Sequence, residues 1–364
     1  MVKNSRPIIG ISMGDPFGNG PEITVKALAR EEIYSRCRPL VIGDRSSMNY
    51  ALKVAKKVHG IDLRLNVVSS PEEGRYTYGC IDLMDLNMIP QDRIPDTSHQ
   101  HIPKPFGVGA SALGGEASFQ YILKLIKLAM DGKIDATVTN AISKEAINMA
   151  GHHFSGHTEI FAHYTDTSKY TMMLVHGDLR VVHVSTHVSL RQACDLVKKD
   201  RVLDCIRMAN EGCKALGIER PMIGVAGLNP HCGEGGLFGR EEIEEIQPAI
   251  DEAIAEGIDI PEKKPTPPDT VFPKASGGLF DIVVAMYHDQ GHIPLKVKGF
   301  VFNREQKKWE AVEGVNITLG LPIIRTSVDH GTGFGSAGSG GASELSLVNA
   351  INLAVLMVEN RKKA

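Results

Sequence analysis

Residues 7–29 read PIIGISMGDPFGNGPEITVKALA, and this stretch decides the fold. Residues 7–13 are a continuous apolar run, too short for a helix and without polar alternation. That pattern belongs to a strand covered on both faces, as in a parallel sheet. The loop Gly14-Asp15-Pro16-Phe17-Gly18-Asn19-Gly20 follows. Pro21 suits a first helical position and Glu22 suits a first turn, so a helix is predicted to residue 29. Strand, glycine loop and helix in that order make the opening half of a βαβ unit.

The same grammar continues outward. Residues 39–43 predict a strand and 46–59 a helix, with Ser46 as its cap. Residues 63–68, 80–86 and 136–138 read as strands, and 111–130 carry helical apolar spacing. Residues 170–175 and 179–185 form a predicted hairpin around His176-Gly177-Asp178. Helices are predicted over 190–197, 201–216, 241–255 and 342–359, with strands over 222–226 and 282–286. Four prolines between 258 and 272 predict a loop. The sum is an α/β chain with largely parallel sheets. At 364 residues it has room for two α/β domains. The expected division is residues 1–150 plus 325–364, then 151–324, with a cleft between.

Composition narrows the function. Apolar residues make up 42% and charged residues 23%, so the chain is globular. Forty basic against 43 acidic side chains give a formal charge of −3, without the basic stripe of a nucleic-acid binder. No apolar run approaches a membrane span. The run over 7–13 is short for a secretory signal, and six scattered cysteines show no C-x-x-C pair. A reduced, cytoplasmic protein is expected.

One literal motif misleads. Gly333-Phe334-Gly335-Ser336-Ala337-Gly338 spells G-x-G-x-x-G, but only one helix follows it. A Rossmann unit needs that motif early, with an acid about 20 residues further on. A flexible turn, or a pocket wall that touches a nucleotide by other means, are the readings left.

The histidines carry more. His187, His231 and His288 each stand just past a predicted strand. Strand ends form the ligand crevice of open α/β sheets, and three imidazoles there suit a divalent metal. The alternative is that each bonds a nearby loop. His183 lies inside its strand and reads as core or as support for its neighbours. An anion-binding group is also visible. Gly156-His157-Thr158-Glu159 opens a short helix; Lys296 follows the strand-like residues 293–295; Asn316 lies in 314–318; Arg325 ends 321–324. A helix start, a lysine, an amide and a guanidinium suit phosphate or carboxylate, although each alone is more often a surface group. Asp289 and Asp329, beside His288 and His330, are candidates for orienting a ligand or moving a proton, or simply solvated carboxylates.

These segments resemble the 4-hydroxythreonine-4-phosphate dehydrogenase family. The matching stretches are Gly14-Asp15-Pro16 with Gly20-Pro21-Glu22, Gly156-His157-Thr158-Glu159, Ser185-Thr186-His187, Gly227-Leu228-Asn229-Pro230-His231, Pro268-Asp269-Thr270, Met286-Tyr287-His288-Asp289-Gln290-Gly291, and Asp329-His330-Gly331-Thr332. They occur in family order along nearly the whole chain. The resemblance implies an isocitrate/isopropylmalate dehydrogenase-like fold and a homodimer with shared active sites. It implies one divalent metal per site (Zn, Mg, Mn or Co) on His187, His231 and His288, one of the three coming from the partner. It implies substrate contacts at His157, Thr158, Lys296, Asn316 and Arg325. It also implies NAD or NADP bound without a Rossmann domain, with Gly331, Thr332 and Gly333 as candidate contacts. Lys296 and Asp269 are candidates for proton handling.

The implied reaction oxidises the 3-hydroxyl of a 4-phosphorylated four-carbon acid and then loses carbon dioxide. The wording of residues 182–191 and 290–296 is closer to the branch acting on 4-phospho-D-threonate or 4-phospho-D-erythronate than to the vitamin B6 enzymes. The alternatives are the B6 activity itself and a silent ligand-binding protein on the same fold. An isocitrate-type metal site would want clustered aspartates, which the histidine set disfavours. Three features depart from the family pattern: Phe17 and Asn19 in the first loop, a glycine-rich 333–341, and an insertion over 301–312, expected as a surface hairpin rather than a lid.

Overall fold

The computed structural model describes residues 6–94, 109–299, 302–305, 308–309 and 313–363. Its strands are β1 Ile8–Ser12, β2 Arg38–Gly43, β3 Arg64–Val67, β4 Cys80–Asp85, β5 Ala136–Thr139, β6 Thr171–His176, β7 Leu179–His183, β8 Ile223–Val225, β9 Ile282–Ala285, β10 Phe302–Asn303, β11 Lys308–Trp309, β12 Val315–Leu319 and β13 Arg325–Val328. The fold is mixed α/β. The chain divides into two compact units, Met1–Thr167 with Leu321–Val358, and Ser168–Gly320 with Glu359–Ala364. Helix His157–Tyr164 lies in the first of these units, where Phe161 packs under Arg325 and Tyr164 against Phe119; the approximate boundary expected at 150/151 falls just before it.

In the first unit the strands run β3-β4-β2-β1-β5-β13, and every pairing is parallel. Ile9, Ile11, Leu40, Ile42 and Val138 are fully buried, as a strand covered on both faces requires. Each such side chain contributes roughly 1.5–3 kcal/mol of burial. Helix Ala112–Met130 buries Phe119, Tyr121, Ile122, Leu125 and Ile126, and Ser111 caps it through Gly114 N. The expected cap at Ser46 is not formed. Helix Arg45–His59 starts one residue earlier, with Asp44 at the cap position. Asp44 spends its carboxylate on Ile89 N and the Tyr121 hydroxyl instead of the helix.

The second unit runs β12-β6-β7-β9-β8. β6 is antiparallel to both β12 and β7, so the expected hairpin is present. β7, β9 and β8 are mutually parallel neighbours. Leu174, Val181, Val283, Ala285, Phe280 and Leu295 form its core. Three local expectations are corrected here. Residues 268–272 are not loop but open helix Pro268–Ser276, because a proline at its first turn gives up no hydrogen bond. Lys296 does not follow a strand; it lies in helix His288–Gly299. Burial of Leu295 and His292 on one side of that helix outweighs Pro294, whose interior position costs a hydrogen bond. Arg325 begins β13 rather than ending a strand, and residues 321–324 carry no strand of their own. Where an insertion is expected, β10 pairs antiparallel with β11 as a hairpin would; the ends of that stretch, Val301 and Val312, lie outside the described residues.

Candidate functional site

Parallel pairing explains how distant histidines gather. β7, β9 and β8 point the same way, so the chain leaves all three at one edge of the second unit. His187 lies four residues past β7, His288 three past β9, and His231 six past β8. The structure brings two of the three together: the rings of His187 and His288 are 5.9 Å apart. His288 Nδ1 is 2.6 Å from Asp289 Oδ1. A proton on Nδ1 shared with that carboxylate leaves Nε2 as a lone-pair donor, a common arrangement behind a metal ligand. Asp289 thus stands beside the ring it was foreseen to orient.

Two further imidazoles back this pair. His292 stacks on His288 with centroids 3.7 Å apart and 12° between planes, and its Nδ1 sits 2.9 Å from the His288 carbonyl. His183 is fully buried, 4.7 Å from His292. Burial, and then the neighbouring His292, press the His183 pKa down to about 3; burial and His288 press His292 to about 4. Both are neutral at ordinary pH. The helix comes this close because residue 291 is glycine: a Cβ there would stand 2.3 Å from His183 Nε2. Sequence reasoning placed His183 in the core correctly and missed His292, although its spacing of four from His288 puts both on one helix face.

His231 is held differently. Glu242 Oε1 accepts from Leu228 N at 2.8 Å and Asn229 N at 2.7 Å, and Oε2 accepts from the Asn229 amide at 2.9 Å. This buried carboxylate pins the loop. The chain then turns left-handed for five consecutive residues, His231 (φ 51°), Cys232 (55°), Gly233 (76°), Glu234 (45°) and Gly235 (66°). His231 is exposed on that turn. Among the described residues, no three His, Cys, Asp or Glu side chains of one chain converge on a common centre for a metal. The donor set thus fits a divalent cation with two imidazoles and leaves further positions open. Asp269, in the first turn of Pro268–Ser276, is exposed and accepts from the Thr270 hydroxyl. Lys296 is exposed two turns beyond His288 on the same helix. Asn316 lies in β12, its Oδ1 buried without a partner among the described residues.

The first unit holds the rest of the anion set. Arg325 is fully buried at the start of β13. Its guanidinium donates to Thr139 Oγ1 at 2.8 Å and lies 5.5 Å above the Phe161 ring. Burial lowers its pKa to about 9, an effect Glu159 opposes. His157 opens helix His157–Tyr164, with Thr158 beside it. His157 Nε2 is buried and has no partner among the described residues. Burial, then the nearby Arg325, hold His157 well below the usual histidine range. A buried guanidinium within electrostatic reach of an imidazole with an unspent nitrogen offers the donors that an anion requires. Gly331, Thr332 and Gly333 follow β13, with the Thr332 carbonyl accepting from Asn19 N at 2.8 Å. The glycine-rich segment starts no βαβ unit, which agrees with the rejected Rossmann reading. A separate cleft of about 620 Å³ in the second unit, lined in part by Lys214, Glu219, Arg220 and Asp259, contains none of the foreseen residues.

Comparison with known proteins adds to this geometry. The family described as "Pyridoxal phosphate biosynthetic protein PdxA" matches residues 35–354. A relative from Cupriavidus necator named D-threonate 4-phosphate dehydrogenase is 46% identical over 95% of this chain and 95% of its own. The crystal structure of a 4-hydroxythreonine-4-phosphate dehydrogenase from Burkholderia phymatum is 42% identical and superposes with a TM-score of 0.77, covering 97% of this chain and 99% of that one. The enzyme of that name from Klebsiella pneumoniae is 38% identical, with a TM-score of 0.78 over 97% and 99% of the two chains.

Proposed function

Because this chain belongs to the PdxA family and is a dehydrogenase with an isocitrate dehydrogenase-like fold, we propose that it oxidises the 3-hydroxyl of a 4-phosphorylated four-carbon hydroxy acid with NAD or NADP and that decarboxylation of the β-keto acid follows. The favoured substrate is 4-phospho-D-threonate or 4-phospho-D-erythronate. The name of the Cupriavidus necator relative supports that choice over the amino analogue of vitamin B6 synthesis.

The observation that carries the reading is the paired ring geometry of His187 and His288 at the edge of three parallel strands. His187, His288 and His231 would hold a divalent cation, one of the three supplied by a second copy of the chain in a homodimer. A cation held there would supply Lewis acidity toward the substrate hydroxyl, and a bound nicotinamide would supply the hydride acceptor. The chain's own residues do the remainder. Arg325, His157 and Thr158 bind an anionic group of the substrate, the guanidinium by charge and the neutral imidazole by a single directed hydrogen bond. Asn316 offers a buried amide oxygen to a substrate hydroxyl. Lys296 Nζ and the Asp269 carboxylate hold or move the proton that the reaction releases and later returns. Asp289 keeps His288 in one tautomer throughout.

The test has two arms. Chelator-stripped protein loses turnover and regains it with a divalent ion; turnover indifferent to chelation removes the role given to the histidines. Kinetics with 4-phospho-D-threonate, 4-phospho-D-erythronate and 4-phosphohydroxythreonine, side by side, rank the substrates. A preference for the amino compound reverses the choice of branch.

A further inference from the structure

Two departures from the family pattern, Asn19 in the first loop and the glycine-rich stretch 333–341, meet in the structure. Asn19 is buried. Its backbone N–H donates to the Thr332 carbonyl at 2.8 Å, and its Nδ2 donates to Ser336 Oγ at 3.1 Å. A Cβ built on Gly333 would stand 2.0 Å from that same Nδ2, and Gly333 has φ +60°. The amide of residue 19 therefore occupies the space that a side chain at 333 would need. The remaining amide oxygen, Oδ1, is buried with no partner among the described residues.

The rest of the segment is gripped from the same side, but through its backbone. Glu22 accepts from Gly338 N and, at 2.8 Å, from Gly340 N. His59 Nε2 lies 2.7 Å from the Gly340 carbonyl, and Lys26 Nζ donates to the Ala342 carbonyl at 2.5 Å. Such contacts hold a loop without depending on which side chains it carries. The Asn19–Ser336 bond is the side-chain link to this turn, which Ser336 N and Ala337 N close onto the Gly333 carbonyl.

We propose that Asn19 is a positioning residue for the dinucleotide: it shapes residues 331–337 by filling the place of a side chain at 333 and tethering Ser336, and it keeps Oδ1 as an acceptor for an N–H or hydroxyl of the cofactor. This rests on the reading that Gly331, Thr332 and Gly333 contact that cofactor. Asn19 and Gly333 then act as one unit, and changing either alone disturbs dinucleotide affinity rather than substrate affinity.

The test compares Asn19→Ala, Ser336→Ala, Gly333→Ala and the double variant Asn19→Ala/Gly333→Ala. NADH and NADPH dissociation constants are read directly from nicotinamide fluorescence, with the KM of the phosphorylated acid and the melting temperature alongside. Losing one hydrogen bond weakens dinucleotide binding about 3–10-fold in Asn19→Ala and in Ser336→Ala, with the acid's KM within about twofold. Gly333→Ala weakens it further. The double variant binds better than Gly333→Ala because the colliding amide is gone. A double variant no better than Gly333→Ala overturns the proposal, as does unchanged affinity in Ser336→Ala, whose exposed site makes misfolding no explanation. Wild-type protein that binds neither dinucleotide overturns the reading of 331–333 and this inference with it. Wild-type binding with independent, additive losses overturns the inference alone.

Discussion

The anion side of the first unit and the imidazole edge of the second are built on opposite principles. Arg325 is fully buried and His157 is half-buried with its Nε2 enclosed: the guanidinium already has Thr139 and the Phe161 ring as neighbours, and burial lowers the pKa of both groups. His187 and His231 are exposed, His288 is half-exposed, and among the described residues no three His, Cys, Asp or Glu side chains of one chain gather on a common centre. The enclosed site is preorganised by the fold and charges its cost to stability. The exposed one is inexpensive to fold and is completed by what binds to it. Substitutions at the two places should therefore separate activity from stability in opposite ways.

The largest effect is expected at the imidazole edge. His288→Ala or His187→Ala should lower kcat/KM by about 10³-fold or more, while the melting temperature moves little because the side chains are not buried. A melting temperature that falls along with activity would break the contrast. Next comes Arg325→Lys. The charge survives but the planar fork does not, so kcat/KM should fall about 10²-fold through KM, with a measurable loss of stability at a fully buried position. An unchanged KM would take Arg325 out of substrate binding.

A smaller effect sharpens the same comparison. Glu242→Gln keeps the shape of the clamp behind His231 and weakens its charge-assisted bonds. Metal affinity, read by titration calorimetry, should drop about tenfold, with about 1–2 kcal/mol lost in denaturant unfolding. The smallest concerns pH. Asp15 is buried in the first loop, and burial raises its pKa from 3.8 to about 6 despite the bond from Phe17 N. A carboxyl whose folded pKa exceeds its unfolded value stabilises the protein at low pH. That contribution, at most about 3 kcal/mol, is lost as pH rises from about 4 through 6. Asp15→Asn should flatten the slope in that window, and an unaltered slope would assign it to other groups.

Much of this was legible before any coordinates. Apolar runs of five to seven residues between glycine loops can only be buried strands, and their alternation with helices predicts the parallel sheets. His187, His231 and His288 were visible because they stand just past such runs. What stayed hidden was tertiary. Nothing local shows that Ile293-Pro294-Leu295 is helical, since its apolar run and its proline both speak for a strand or a break. The helix forms because its other face is covered. His292 was passed over for the same reason. The pairing of Asn19 with Gly333 spans the whole chain, and no local pattern announces it.

The left-handed turn at His231 has a consequence for how freely this protein can vary. L-amino acids wound in that sense lose about 1–2 kcal/mol per residue, glycine excepted. Histidine, with asparagine and aspartate, is among the few side chains tolerated there, whereas valine, isoleucine and threonine are not. Under the metal role proposed for His231, backbone handedness and coordination chemistry select the same letter, and an evolutionary path away from it must satisfy both demands in a single step.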